Sequence, residues 1–335
     1  MTSDITERAW TPEQEGSWDL ATSYRLCESF VAGQVLADLA DHDDRIAVLT
    51  ADLKFSNRTR DFELRHPDRF VNTGICEQNM VSMAAGMATC GYIPYVATFA
   101  SFVGLLCAEQ IRTDLAYPNL PVRVIAHHTG ISLGFYGTSH HATEDIGITR
   151  SIANLTVIGP ADAVSLTEAL RQTVDLEGPV YFRIGRGRDE DVYGRTGAEF
   201  EFGRLTTLRE GGDAAIVATG VTLAPALRAA EELAREGVSV AVVDAHTLRP
   251  FDAEGLCELA SRVPRILVAE EHNVYTGLAS ACADALVDGG VGGVKLHRLG
   301  LPVDEYALIG PPTRLYEHYE LDTAGIVRRM RNLLA

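Results

Sequence analysis

Residues 71–91, VNTGICEQNMVSMAAGMATCG, set one carboxylate, Glu77, at the mouth of a small, apolar run; MVSMAAGMATCG, at its end, carries no charge. RFVNTGI, overlapping its start, reads as a β-branched strand, residues 77–90 read as a helix, and YIPYVATF reads as the next strand. Glu77 admits two readings. It is either a first-turn carboxylate favoured by the positive end of the helix dipole, or an ionisable group wanted for chemistry.

The same alternation extends in both directions. Further strands are expected at RIAVLTA, VRVIAHH, LTVIGP and VYFRIG, with helices near 22–40, 101–117 and 162–176. Strands that read as continuous apolar runs between helices predict a mostly parallel sheet covered on both faces. Over 186–212 the pattern breaks into a charged, Gly-containing stretch. A second alternation follows: DAAIVATG, VSVAVVDA, RILVAEE and VKLHRLGL, separated or closed by helices at 222–236, 252–262, 277–288 and 322–334. The expected organisation is a polar arm over 1–19, a first domain over 20–190, a linker over 191–211 and a second domain over 212–335. The fold class is α/β, two doubly wound, mostly parallel-sheet domains.

A chain of 335 residues, 46% hydrophobic, can build two cores. The formal charge of -17 argues against a nucleic-acid partner, which needs a basic face. No apolar stretch approaches the roughly 20 residues of a membrane span. The N-terminus has no signal-peptide pattern and reads as an arm pinned by Trp10 or Trp18. The six cysteines are scattered with no C-x-x-C, which predicts reduced, mostly buried thiols and a cytoplasmic protein.

In open parallel sheets, ligand groups come from loops at the carboxyl ends of strands. Asp52 and Ser56, Glu77, Phe99 and Phe102, His127 and His128, and Arg186 all fall at such ends, an argument that they share one site. HHTGISLGFYGTSHHATED also carries His140, His141, Glu144 and Asp145, a possible metal set. Its adjacent histidine pairs do not match tetrahedral zinc spacing, so no metal is assigned to this chain.

TGICEQNMVSMAAGMATCGYIPYVATFASF closely resembles the pyrimidine-binding domain of transketolases, thiamine diphosphate enzymes that move two-carbon ketol units. The resemblance continues through TADLKFSNRT, the histidine-rich segment, DAHTLRPFD and EEHNVYTGL, and covers nearly all of the chain after residue 20. It implies that Glu77 bonds the aminopyrimidine of thiamine diphosphate and thereby promotes loss of the thiazolium proton. Cofactor chemistry does the hard step and the protein supplies tautomer control. Phe99 and Phe102 match aromatics that pack on the pyrimidine, and Asp52 is grouped with them at the cofactor. The family's next aromatic corresponds to Leu105. Arg25, Ser56, His128 and Arg186 match residues that hold a sugar phosphate, a set suited to a dianion. His140 matches the histidine near the donor's carbonyl and hydroxyl, where an imidazole donates a hydrogen bond or shuttles a proton.

Two departures shape the expectation. Tyr136 replaces the family aspartate that reads a sugar hydroxyl, and Phe135 replaces the preceding glutamate. This points away from ordinary pentose phosphates and toward a specialised pathway. The G-D-G…N motif that binds diphosphate and magnesium in the family's N-terminal domain is absent. The resemblance therefore implies a small subunit completed by a large one that carries the diphosphate and Mg2+, most simply as α2β2. The alternatives are the β subunit of a 2-oxoacid dehydrogenase, a deoxyxylulose phosphate synthase-like half, and a silent dimerisation partner. His246 and His272 are expected to be structural.

Overall fold

A computed structural model describes residues 28–186 and 190–335. Arg25, Trp10, Trp18 and the rest of the expected N-terminal arm lie outside the described residues.

The first sheet runs in the order β10-β5-β6-β4-β3-β1-β2. Its strands are β1 Ile46–Thr50, β2 Phe70–Asn72, β3 Ile93–Phe99, β4 Arg123–His127, β5 Thr156–Ile158, β6 Val180–Arg183 and β10 Thr247–Arg249. All pairings are parallel except β10 with β5. β1, β4 and β6 are buried along their whole length, because helices cover both faces; that is why they read as unbroken apolar runs. The helix Glu77–Thr89 buries Met80, Val81, Ala84, Ala85 and Ala88, and its small side chains allow close approach to the sheet.

The second sheet has the order β12-β11-β8-β9-β7. It comprises β7 Thr206–Arg209, β8 Ala214–Ala218, β9 Val240–Asp244, β11 Arg265–Asn273 and β12 Lys295–Leu301. β7 lies inside the stretch read from sequence as linker and pairs antiparallel with β9. β10 also escapes the sequence reading: it follows the second domain's β9 yet extends the first domain's sheet. A three-residue strand whose partner is some ninety positions away has no local periodicity to betray it.

The expected helix over 101–117 is interrupted. Phe102–Leu106 and Ile111–Ala116 are π-helical turns flanking Ala108–Gln110. Such turns widen a helix locally and recur at functional sites. The expectation of mostly buried thiols needs correction: Cys107 and Cys282 are buried, Cys76 and Cys257 are half-buried, and Cys90 is exposed. Cys90 ends a helix at the surface, where the apolar run no longer meets the sheet.

Arg123 is fully buried in β4, and backbone carbonyls surround its guanidinium. Its guanidinium donates to the carbonyls of Thr173, Val174, Leu176 and Gly178 at 2.6–3.1 Å. Thr173 is the C-cap of the helix Ala163–Gln172 and the other three lie in the turn after it, so the cation satisfies acceptors at and just beyond the helix end.

Candidate active site

The carboxyl ends of β1, β2, β3, β4 and β6 lie at one end of the first sheet, and Glu77, Phe99, Phe102, His128, Tyr136, His140 and Arg186 fall in the segments at or after them. Glu77 is the first residue of its helix, only 6% exposed, with Cys76 at the N-cap supplying no side-chain bond. The Thr98 hydroxyl lies 3.5 Å from Glu77 Oε1, which places the carboxyl against the carboxyl end of β3. Burial, with the Glu77 charge adding to it, pushes the Cys107 thiol up to about 12, so this cysteine is an inert thiol lining the carboxylate's pocket.

Five rings form a continuous cluster at the ends of β3 and β4. Phe99 lies 5.5 Å from Phe102, 4.6 Å from His128 and 5.8 Å from His140, centroid to centroid. His140 in turn lies 5.3 Å from Phe102 and 4.9 Å from Tyr136. β3 contributes Phe99 and the first π-turn contributes Phe102; the loop after β4 contributes the other three.

His128 is held in a left-handed backbone conformation, φ 59°, unusual for a residue with a side chain. Its N–H donates to the Gly185 carbonyl at 3.2 Å, and the Thr129 N–H donates to Ile184 at 3.3 Å. These bonds extend β4 alongside the end of β6 and bring His128 next to Arg186. Burial, then the Arg186 charge, lowers the His128 imidazole to about 3. It therefore meets an anion as a neutral ring. Burial also lowers His140, leaving it neutral at pH 7. The Ser139 hydroxyl lies 2.8 Å from His140 Nδ1 and 3.4 Å from the Tyr136 carbonyl, fixing one ring edge and leaving Nε2 for a ligand. Sequence reasoning missed Ser139, although it directly precedes the histidine.

Other predicted residues stand differently. Tyr136 is 61% exposed and lies at the rim, its ring against His140. Leu105 is also exposed, on the outer side of the π-turn. Ser56 is exposed on the turn after β1. Asp52, φ 59°, is paired with Asn72: its N–H donates to Asn72 Oδ1 at 2.9 Å and its Oδ1 accepts from Asn72 Nδ2 at 3.1 Å. That pairing joins the loop after β1 to the end of β2. Arg25 lies outside the described residues.

The histidine-rich segment does not converge on a metal. His127 is buried, Glu144 accepts from the Thr143 N–H at 3.2 Å, and Asp145 is paired with Arg183 at 3.0 Å. Among the described residues no group of three His, Cys, Asp or Glu side chains could hold a metal ion. His246 and His272 are both fully buried and bonded to neighbouring backbone or hydroxyl groups, as structural histidines are.

The geometry suits one ring-shaped ligand. A buried carboxyl can bond a ring nitrogen, a Phe pair offers apolar faces, and an imidazole–guanidinium pair beyond them can take an anionic group.

Sequence comparison agrees in extent. The family description "Transketolase, pyrimidine binding domain" matches residues 29–188, and "Transketolase, C-terminal domain" matches 203–326. A 6-deoxy-6-sulfo-D-fructose transketolase subunit of a Clostridium species is 36% identical over 294 residues, covering 88% of this chain and 90% of that protein. A 1-deoxy-D-xylulose-5-phosphate synthase of Geobacter sulfurreducens is 35% identical over 317 residues, 94% of this chain but 50% of the synthase. A solved structure described as "Split gene transketolase, inactive beta4 tetramer" superposes with a TM-score of 0.82 at 37% identity, covering 92% of this chain and 98% of that one.

Proposed function

Since the chain belongs to the transketolase family, carrying its pyrimidine-binding and C-terminal domains, we propose that it is the small subunit of a split transketolase. It transfers a two-carbon ketol unit between phosphorylated or otherwise anionic sugars. A separate large subunit completes the active site, most simply in an α2β2 assembly. The observation that carries this reading is the buried Glu77 at the head of its helix, set against Thr98 and adjoining the Phe99–Phe102 pair.

Thiamine diphosphate supplies, when bound, a carbon nucleophile able to accept a ketol unit. The donor set here fits its pyrimidine end: Glu77 bonds a ring nitrogen and holds or shares the proton at that atom, while Phe99 and Phe102 pack against the ring. The diphosphate and its Mg2+ are assigned to the large subunit, in keeping with the missing G-D-G…N motif. His140 donates from Nε2 to the substrate's carbonyl or hydroxyl oxygen, and its neutrality at pH 7 allows a proton to pass either way. Arg186, with Arg25 and the Ser56 hydroxyl, holds the substrate's anionic end. The neutral His128 ring adds a hydrogen bond without adding charge. Tyr136 stands where the family reads a hydroxyl, which favours a sugar other than the common pentose phosphates.

The test is reconstitution. The chain is co-purified with a large subunit carrying G-D-G…N, and the complex is assayed with ketose phosphates and, separately, with branched 2-oxo acids. Ketol transfer by the complex, and none by either chain alone, is the expected result. Oxidative decarboxylation of 2-oxo acids in its place would assign the chain to the 2-oxoacid dehydrogenases, and turnover by the lone chain would overturn the split.

A further inference from the structure

The loop carrying Tyr136, Ser139 and His140 runs from Gly130 to Asp145, and the second domain holds it at its base, at Gly134 and Gly137, and at its far end. At its base, Gly130 and Ala142 exchange backbone bonds at 3.0 and 2.9 Å. Glu271, buried in β11, accepts from the Ile131 N–H at 2.9 Å and from the Tyr316 hydroxyl at 2.7 Å, both through Oε1. A Cβ at Gly130 would fall 2.1 Å from Glu271 Cδ, so this carboxyl occupies the volume a side chain would need. At the loop's far end, the Asn273 side chain and backbone both donate to the Thr143 carbonyl, at 2.9 and 3.0 Å. His272 Nε2 accepts from the Ile146 N–H at 3.2 Å.

The upper part of the loop is held by the segment before the helix Pro312–His318. The Gly310 N–H donates to the Gly134 carbonyl at 2.9 Å. A Cβ at Gly134 would come within 2.3 Å of the Gly310 oxygen and 2.7 Å of Leu315 Cδ1. One at Gly137 would lie 2.7 Å from Ile309 Cδ1. This strap is itself anchored, since the Leu308 N–H donates to the Tyr319 hydroxyl at 2.8 Å.

We propose that Glu271, together with the Ile309–Gly310 strap, is a positioning device: the C-terminal domain sets the pose of the His140 imidazole that the first domain carries. The inference rests on the reading of His140 as a substrate contact, but its geometry belongs to this chain alone. Glu271 touches no reacting atom; it acts through Ile131 and Tyr316. A shift of about 1 Å in such a group can cost on the order of a hundredfold in rate.

The experiment compares Glu271→Ala, Glu271→Gln, Gly134→Ala and the solvent-exposed Ile309→Ala. The purified chain, labelled with 13C-histidine, gives the His140 Cε1–H resonance and its titration, assigned with His140→Asn. The same variants, reconstituted with the large subunit, give kcat and KM separately. The expected result is a displaced His140 resonance in Glu271→Ala, Gly134→Ala and Ile309→Ala, with kcat falling about 10- to 100-fold and assembly retained. Glu271→Gln keeps the accepting oxygen and should restore both readouts to near wild type. An unmoved His140 resonance in folded Ile309→Ala and Gly134→Ala would overturn the proposal, as would a Glu271→Gln variant as impaired as Glu271→Ala. Should the wild-type complex show no ketol transfer, the functional reading fails while the resonance still decides the clamp.

Discussion

The Arg183 guanidinium donates from Nε to Asp145 Oδ2 at 3.0 Å, with both side chains withdrawn from solvent. Tyr181 donates to the same oxygen at 3.1 Å, while Arg183 Nη2 donates to the carbonyls of Ala142 at 3.3 Å and Glu271 at 2.9 Å. One ion pair thus ties the end of β6, the foot of the His140 loop and β11 of the second domain. Removing one member of a buried pair leaves the other charged and unpaired. Asp145→Ala should therefore lose about 3–5 kcal/mol of stability, read as a lowered urea midpoint. A loss below about 1 kcal/mol, the range of an exposed pair, would contradict that role.

Glu77→Gln should lower turnover of the reconstituted complex by roughly 10²–10⁴-fold and leave its sedimentation unchanged. The amide fills the same volume but cannot hold or share the proton. Activity within a few-fold of wild type would remove Glu77 from the chemistry and return it to the role of a helix-terminal carboxylate.

Tyr136→Asp restores the group with which transketolases read a sugar hydroxyl. The exposed ring stacks on His140 at the rim, so its loss should be tolerated by the fold. The ratio of kcat/KM for pentose phosphates to that for the natural donor should rise at least about tenfold, the scale of one well-placed hydrogen bond. An unchanged ratio would show that position 136 does not govern specificity.

His246 supplies a pH dependence with a defined sign. It is fully buried between Thr206 and Thr247, and burial lowers its imidazole from 6.5 to about 3. Above 6.5 the ring is neutral in both folded and unfolded chains. As pH falls from 6.5 toward 3, only the unfolded chain takes up the proton, so stability is lost by up to about 1.4 kcal/mol per pH unit. Relative to His246→Gln, which cannot titrate, the wild-type melting temperature should fall more steeply between pH 6.5 and 4.5. Parallel curves would show that the ring titrates normally.

Much of the first domain was legible because the parallel strands bury both faces. IAVLT and RVIAH need no partner to declare themselves apolar, and placing the strands also places the residues at their carboxyl ends. Glu77, Phe99, His128 and Arg186 fall into one group on that ground. Residues whose role is fixed by distant partners were not legible in this way. Arg123 reads as an ordinary cation, and Asp145 invited comparison with a metal ligand. Only folding shows the first meeting four carbonyls and the second an arginine. Glu271 likewise lies in EEHNVYTGL, where the resemblance assigned it no role, because the amide it accepts from is 140 positions away.

Sequence alone determined the two α/β layers, the position of Glu77 at the head of a buried helix and the residue types offered to a ligand. Those follow from hydrophobic period and local helix-start chemistry, which act over a few neighbouring residues. Tertiary structure alone decided that β10 joins the first domain's sheet and that the second domain clamps the His140 loop. It also decided that His128 is neutral beside Arg186. These depend on desolvation and on hydrogen bonds between remote segments, which come into being only when the chain has closed on itself.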